Sequence, residues 1–260
     1  MVAENASTER PSDASTYFAT SDYYKLWVKE VRRGTVGRPP IPAKLGLGDL
    51  VLEIGVGEGR VMRYVSTISK PRLYIGLDIS SDILRFLRGR GDIYIELVQA
   101  DGLYLPIRDR ALTCVLCIAT SHYILDKARL FLEVYRALKE KGIFLSNFKD
   151  LSRLHIALQY HARNFLNNLL RYKTLRKLLY HSCRMVVTLF NRLGLKRYGL
   201  DPDWLESIFT YGVTPYYPIR RKDCIRMLMM AGFDVRWIMD GAGEFIALSV
   251  KRDRPPWLGA

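Results

Sequence analysis

The segment Val51-Leu52-Glu53-Ile54-Gly55-Val56-Gly57-Glu58-Gly59-Arg60 constrains this chain more than any other. An apolar run that ends at an acid and passes into glycines at alternate positions describes a strand, a sharp turn and a helix start. Nineteen residues after Gly59, a second apolar run, 73–77, ends at another carboxylate, Asp78. A third acid, Asp101, follows the strand-like run 94–98. Open α/β sheets bind ligands in a crevice at the carboxyl ends of their parallel strands. The three acids are therefore expected on one rim.

The rest of the chain keeps the same rhythm. Strands are expected at 50–54, 73–77, 94–98, 111–119 and 143–148, and helices at 59–69, 80–87 and 127–138, with Ser80 or Ser81 as an N-cap. The continuous apolar stretch 111–119 is what a strand covered on both faces looks like. Late in the chain, 221–231 reads as a helix stopped by Gly232. Strands 233–239 and 244–250 are joined there by a glycine-rich, hairpin-like turn. The fold class is α/β: a Rossmann-like, doubly wound, mostly parallel sheet with an antiparallel element at its end.

With 260 residues, 49% of them apolar, the chain supports one large domain. Residues 1–20 read as a disordered tail, 21–251 as a single domain opening on a helix at 21–33 and a Gly/Pro linker at 34–42, and 252–260 as a second tail. The segment 149–212 interrupts the alternation and reads as a helical cap inserted after the fifth strand. Between Lys149 and Arg197 there are eleven Lys or Arg and one acid, against a net charge of +14 for the whole chain. Leu175, Leu178, Leu179, Met185, Val186, Leu189, Phe190 and Leu193 share one side at helical spacing, with Lys173, Lys177, His181, Arg184 and Arg192 on another. That charge favours a polyanionic partner, nucleic acid or an anionic membrane surface. The start of the chain has no hydrophobic leader and no stretch is apolar enough to span a bilayer, so a cytoplasmic protein is expected, with peripheral membrane contact open. Cys114 and Cys117 lie three apart on a strand and so face opposite ways, which makes them core residues and not a metal pair. No metal-ligand spacing occurs.

The glycine segment has a chemical reading. Gly55, Gly57 and Gly59 let the backbone approach a ligand, and the helix that follows offers its positive end. A dinucleotide loop carries its third glycine one residue later than Gly59, and Arg60 occupies that place. Glu53 would repel a pyrophosphate but suits a ligand with an ammonium and a sulfonium. Asp78 is placed for ribose hydroxyls, as in dinucleotide sites, and Asp101 with Gly102 for an adenine amine. Together these point to S-adenosylmethionine.

The chain resembles the class I S-adenosylmethionine-dependent methyltransferases. The matching runs are 51–59, Gly76-Leu-Asp-Ile-Ser, Ala100-Asp-Gly-Leu-Tyr-Leu-Pro-Ile-Arg-Asp, Ala119-Thr-Ser-His-Tyr, Glu133-Val-Tyr-Arg-Ala-Leu-Lys-Glu-Lys-Gly-Ile-Phe and Ala231-Gly-Phe-Asp-Val. They cover roughly 45–150 and 215–251. The resemblance implies a seven-stranded sheet with its last strand antiparallel. It also implies cofactor contacts at Glu53, Gly55, Gly57, Asp78, Asp101 and the segment from Ala119 to His122, beside which Gly59, Ile79 and Gly102 are further candidate cofactor contacts. One departure is the turn 139–142, where the family commonly has Pro-Gly and this chain has Lys141-Gly142.

Methyl transfer from a sulfonium is an in-line displacement, so alignment matters first and a base only when the nucleophile is weak. Thr120 and Tyr123 are candidate substrate contacts. His122 is a candidate proton acceptor or orienting group, and equally a structural histidine. The runs 103–108 and 118–123 are similar to the tRNA wobble-uridine carboxymethyl methyltransferases, whose acceptor is a carboxylate; the same motifs are similar to quinone-ring and small-molecule enzymes. Lys173, Lys177 and Arg184 are the expected contacts to phosphates or an anionic surface. An activating subunit is a further possible partner, and a non-catalytic RNA-binding role is the reading from another class.

Overall fold

In the computed structural model, residues 39–88, 95–153, 156, 217–240 and 244–253 are described. The element order is β1 (Leu50–Ile54), α1 (Arg60–Ile68), β2 (Leu73–Asp78), α2 (Ser81–Arg88), β3 (Glu96–Gln99), β4 (Leu112–Cys117), a 3-10 turn (Ser121–Tyr123), α3 (Lys127–Ala137), β5 (Leu138–Lys149), α4 (Arg221–Met230), β6 (Phe233–Asp240) and β7 (Glu244–Lys251). The seven strands form one sheet in the order β3-β2-β1-β4-β5-β7-β6. β1 pairs in parallel with both β2 and β4, and the strand order reverses around this pair. β7 runs antiparallel to both β5 and β6 and is the one reversed strand of the sheet.

Alternation along the central strands sorts their side chains into two cores. Val51, Cys114 and Leu116 face α1 and pack with Val61, Met62 and Val65. Leu52, Ile54, Val115 and Cys117 face α3 and α4. On that side Phe131 meets Phe144 and Phe148 edge-on at ring distances of 6.0 and 5.9 Å, and Phe148 stacks on Phe245 at 5.3 Å. Such ring pairs each add about 1 kcal/mol beyond the area they bury. Cys114 and Cys117 are buried free thiols in opposite cores, as their spacing requires. Burial pushes the Cys117 thiol up to about 12 and Cys114 higher still, so neither is a nucleophile at neutral pH.

Several boundaries differ from the sequence expectation. β5 begins at Leu138, not at 143, because α3 ends at Ala137 and the chain enters the sheet at once. The expected turn lies inside this strand: Lys141 has a φ of 59°, and the β4–β5 register shifts between Leu112 and Cys114. β3 is Glu96–Gln99, one to two residues later than 94–98. β4 ends at Cys117, short of 119, because Ala119 turns away with a φ of 60°. The two tails, the 21–33 helix, the cap over most of 149–212 and the turn at 241–243 fall outside the described residues, apart from 149–153, 156, Arg252 and Asp253.

Candidate cofactor site at the strand ends

The loop from β1 to α1 is held open by its backbone. Gly55, Gly57 and Gly59 all have positive φ, at 74°, 51° and 79°, a region costly for residues with a Cβ. Gly55 N and Val56 N donate to Leu77 O at 2.8 and 3.0 Å, which clamps the loop to β2. A Cβ at Gly55 would run into Thr120, whereas a Cβ at Gly57 would meet nothing within 4 Å. Gly55 therefore permits contact with the turn after β4, and Gly57 faces open space at the strand ends. α1 begins at once, with Gly59 as its N-cap, so the positive end of its dipole points at that space.

Three carboxylates surround this loop. Glu53, next to last on β1, is 1% exposed and accepts a 2.6 Å hydrogen bond from Tyr74 Oη. Burial pushes its carboxyl up to about 8; the Tyr74 bond and Arg60 pull it down, while Glu58 and Asp78 push it further up. A carboxyl so desolvated binds a proton or a cation more readily than a surface one. Asp78, at the end of β2, is also 1% exposed. Its Oδ2 accepts from Gly57 N and its Oδ1 from Ser80 N, both at 3.0 Å. It thus ties the glycine loop to the start of α2. Ala100 N donates to Asp78 O at 3.1 Å, bringing Asp101 alongside. Asp101 Oδ1 accepts from Leu103 N at 2.9 Å, and Gly102 packs so closely on Ile54 that a Cβ would lie 2.8 Å from its Cγ2. Ile79 is half-buried, and its carbonyl accepts from Gln99 Nε2 at 3.2 Å.

The other rim is the turn after β4. Thr120 Oγ1 lies 3.4 Å from Gly55 O, and Tyr123 N donates to Thr120 O at 2.9 Å. His122 is 6% exposed, with its ring 4.2 Å from that of Tyr123. Its carbonyl accepts from Tyr217 N at 2.7 Å. Lys127, buried at the start of α3, donates to Ile124 O and Tyr217 O at 2.8 and 2.6 Å, so the chain returning at 217 is stitched to this turn. Burial lowers the Lys127 ammonium to about 8.

Gly57 is thus joined to Asp78 and Gly55 to Thr120 by direct contacts, Glu53 on β1 is held by Tyr74 on β2, and Asp101, Gly102 and Ala119 adjoin. Lys173, Lys177 and Arg184 lie outside the described residues. Sequence reasoning missed Tyr74, the partner of Glu53, and Asn147, which takes the Ala119 N–H at 2.6 Å. The signal for Tyr74 was present: a polar tip on a strand otherwise made of apolar residues.

A seven-stranded α/β sheet with a glycine loop and acids at its strand ends is the Rossmann-like fold shared with solved methyltransferases. Residues 52–146 match the sequence family described as "Methyltransferase domain". Among known proteins, the chain is 39% identical over 100 residues to the fatty-acid O-methyltransferase of Mycolicibacterium smegmatis, covering 38% of this chain and 36% of that one. It is 26% identical over 170 residues to the probable tRNA methyltransferase 9B of Mus musculus, covering 64% and 34%. The chain thus spans about a third of the length of these relatives. A solved Haloferax volcanii complex between the Trm112 methyltransferase activator and a putative methyltransferase superimposes with a TM-score of 0.52 at 15% identity, covering 89% of this chain and 91% of that one, which speaks for the fold alone. The cofactor implied by the family is S-adenosylmethionine. The residues fit it: a buried acid cluster for its positive charges and an open glycine for its close approach.

Proposed function

We propose that the protein transfers a methyl group from S-adenosylmethionine to a carboxylate oxygen. The observation that carries the cofactor part of the reading is the placement of the buried acids Glu53 and Asp78 at adjacent strand ends, with Asp78 bonded to the open Gly57. A desolvated acid cluster suits a ligand bearing a sulfonium and an ammonium and disfavours a pyrophosphate. In this reading Asp78 holds the ribose, the Asp101–Gly102 turn takes the adenine, and Ala119 lies along the cofactor. Thr120 and Tyr123 then border the acceptor.

A carboxylate attacks the methyl carbon directly as the sulfonium departs, with no proton to remove. His122 then serves to orient the acceptor and not as a base. The carboxylate class is what the fatty-acid relative and the carboxymethyl-uridine resemblance have in common, and the cationic run around Lys173, Lys177 and Arg184 would attract either anion. A tRNA acceptor draws separate support from the longer alignment with the tRNA methyltransferase, 64% of the chain.

The test uses methyl-labelled cofactor with long-chain fatty acid in one arm and carboxymethyl-uridine tRNA in the other. Label should enter one arm and be released as volatile methanol by mild alkali, because a methyl ester hydrolyses there. Label that resists alkali contradicts a carboxylate acceptor. Changing Lys173, Lys177 and Arg184 to Glu should raise KM for that acceptor and leave cofactor affinity unchanged.

A further inference from the structure

The turn after β4 is held from a side that no motif marks. Ala119 adopts a left-handed φ of 60°, a conformation unfavourable for a residue with a Cβ that persists only where its surroundings enforce it. The enforcement comes from β5. Asn147, 4% exposed, accepts the Ala119 N–H on Oδ1 at 2.6 Å, and its backbone carbonyl accepts the Ser121 hydroxyl. Its Nδ2 donates to Glu244 Oε2 on β7 at 2.9 Å, and Lys149 Nζ lies 3.3 Å from the same oxygen. Two residues of the turn are thus fastened to one residue of β5. On its opposite flank Thr120 presses against the Cβ-less side of Gly55.

We propose that Asn147 is a positioning residue for cofactor binding: its amide fixes the 119–121 turn against the glycine loop, and Glu244 sets which way that amide faces. The inference rests on the methyltransferase reading above. An amide is the group this place requires. Ala119 offers only an N–H, so the near side must accept; the Glu244 carboxylate only accepts, so the far side must donate. A carboxylate at 147 would satisfy Ala119 and set its charge against Glu244.

The experiment is calorimetric binding of S-adenosylhomocysteine to the full chain, with cofactor KM and kcat measured in parallel. Asn147→Asp is expected to weaken binding about tenfold, the scale of one buried polar bond lost. KM for the cofactor should rise while kcat changes little, because the lost contact serves ground state and transition state alike. Adding Glu244→Gln restores a donor opposite the new carboxylate and is expected to return affinity to within about threefold of wild type, a recovery that a merely structural defect does not give. Should Asn147→Asp not fold, Glu244→Ala alone, which frees the amide to turn, is expected to weaken binding about threefold. Wild-type affinity in Asn147→Asp, no recovery in the folded double variant, or, where Asn147→Asp does not fold, an unaltered Glu244→Ala overturns the positioning role. A wild-type chain that does not bind S-adenosylhomocysteine overturns the methyltransferase reading, and the positioning role falls with it.

Discussion

Glu53 is where the chemistry of this site is most exposed to test. Its carboxyl is raised from the ordinary glutamate value of 4.5 to about 8 by burial, with Tyr74 Oη as its hydrogen-bond donor. The native state therefore holds a proton that the unfolded chain releases. By linkage, this group's contribution to stability is fully present below about pH 4.5 and is lost as pH rises to about 8. A neutral amide cannot follow that titration. Glu53→Gln should flatten the decline of the melting temperature between pH 5 and pH 8 in the absence of cofactor; an unchanged slope would contradict the buried-carboxyl account. On the proposed cofactor reading, the same substitution removes a charge that would meet the cofactor's cation and should weaken S-adenosylmethionine more than its neutral-sulfur product. Equal losses for the two ligands would place the sulfonium elsewhere.

At the scale of elements, α3 supports the segment after Asp101 from a distance. Arg136 donates to Ile107 O and Leu105 O at 2.6 and 3.0 Å, pairs with Asp109 at 2.7 Å and meets both oxygens of Glu133. Glu133 in turn accepts from Leu105 N at 3.0 Å. Burial works to raise the Glu133 carboxyl, and the bonds from Arg136 and Leu105 N, with nearby Arg129, outweigh it and hold it low. The segment 103–109 after Asp101 is thus pinned to one helix face. Arg136→Met leaves a mostly buried carboxylate and two carbonyls without their donor, which should cost roughly 3 kcal/mol in urea unfolding; a loss under about 0.5 kcal/mol, the scale of a surface pair, would contradict it. This support shows the limit of what the sequence gives away. Glu53, Asp78 and Asp101 were legible because strand ends place them, and alternation alone put Cys114 and Cys117 on opposite faces. Arg136, Tyr74 and Asn147 act across sequence gaps of 29, 21 and 28 residues respectively, which no local periodicity encodes. The start of β5 was misjudged for a related reason. Lys139 and Lys141 read as a turn, yet pairing of Leu138 with Leu112 carries the sheet through them.

For the whole molecule, topology accounts for the site. The strand order reverses at β1, β2 and β4, and the ends of these strands supply Glu53, Asp78 and the Ala119 turn. β5 and β7, the next two strands of the same sheet, brace that turn through Asn147 and Glu244. No helix among the described residues is long and apolar enough to cross a membrane. The claim on which all else depends is that these strand ends grip a charged sulfonium nucleoside. Its most direct measurement is calorimetric titration of S-adenosylmethionine into wild type and Asp78→Ala at pH 7 in two buffers of different ionisation enthalpy. The account predicts wild-type binding with proton release from Glu53 and at least a hundredfold loss in the variant, the scale of about two charge-assisted hydrogen bonds. Equal affinity in the two proteins, or wild-type binding with no proton exchanged, would contradict it.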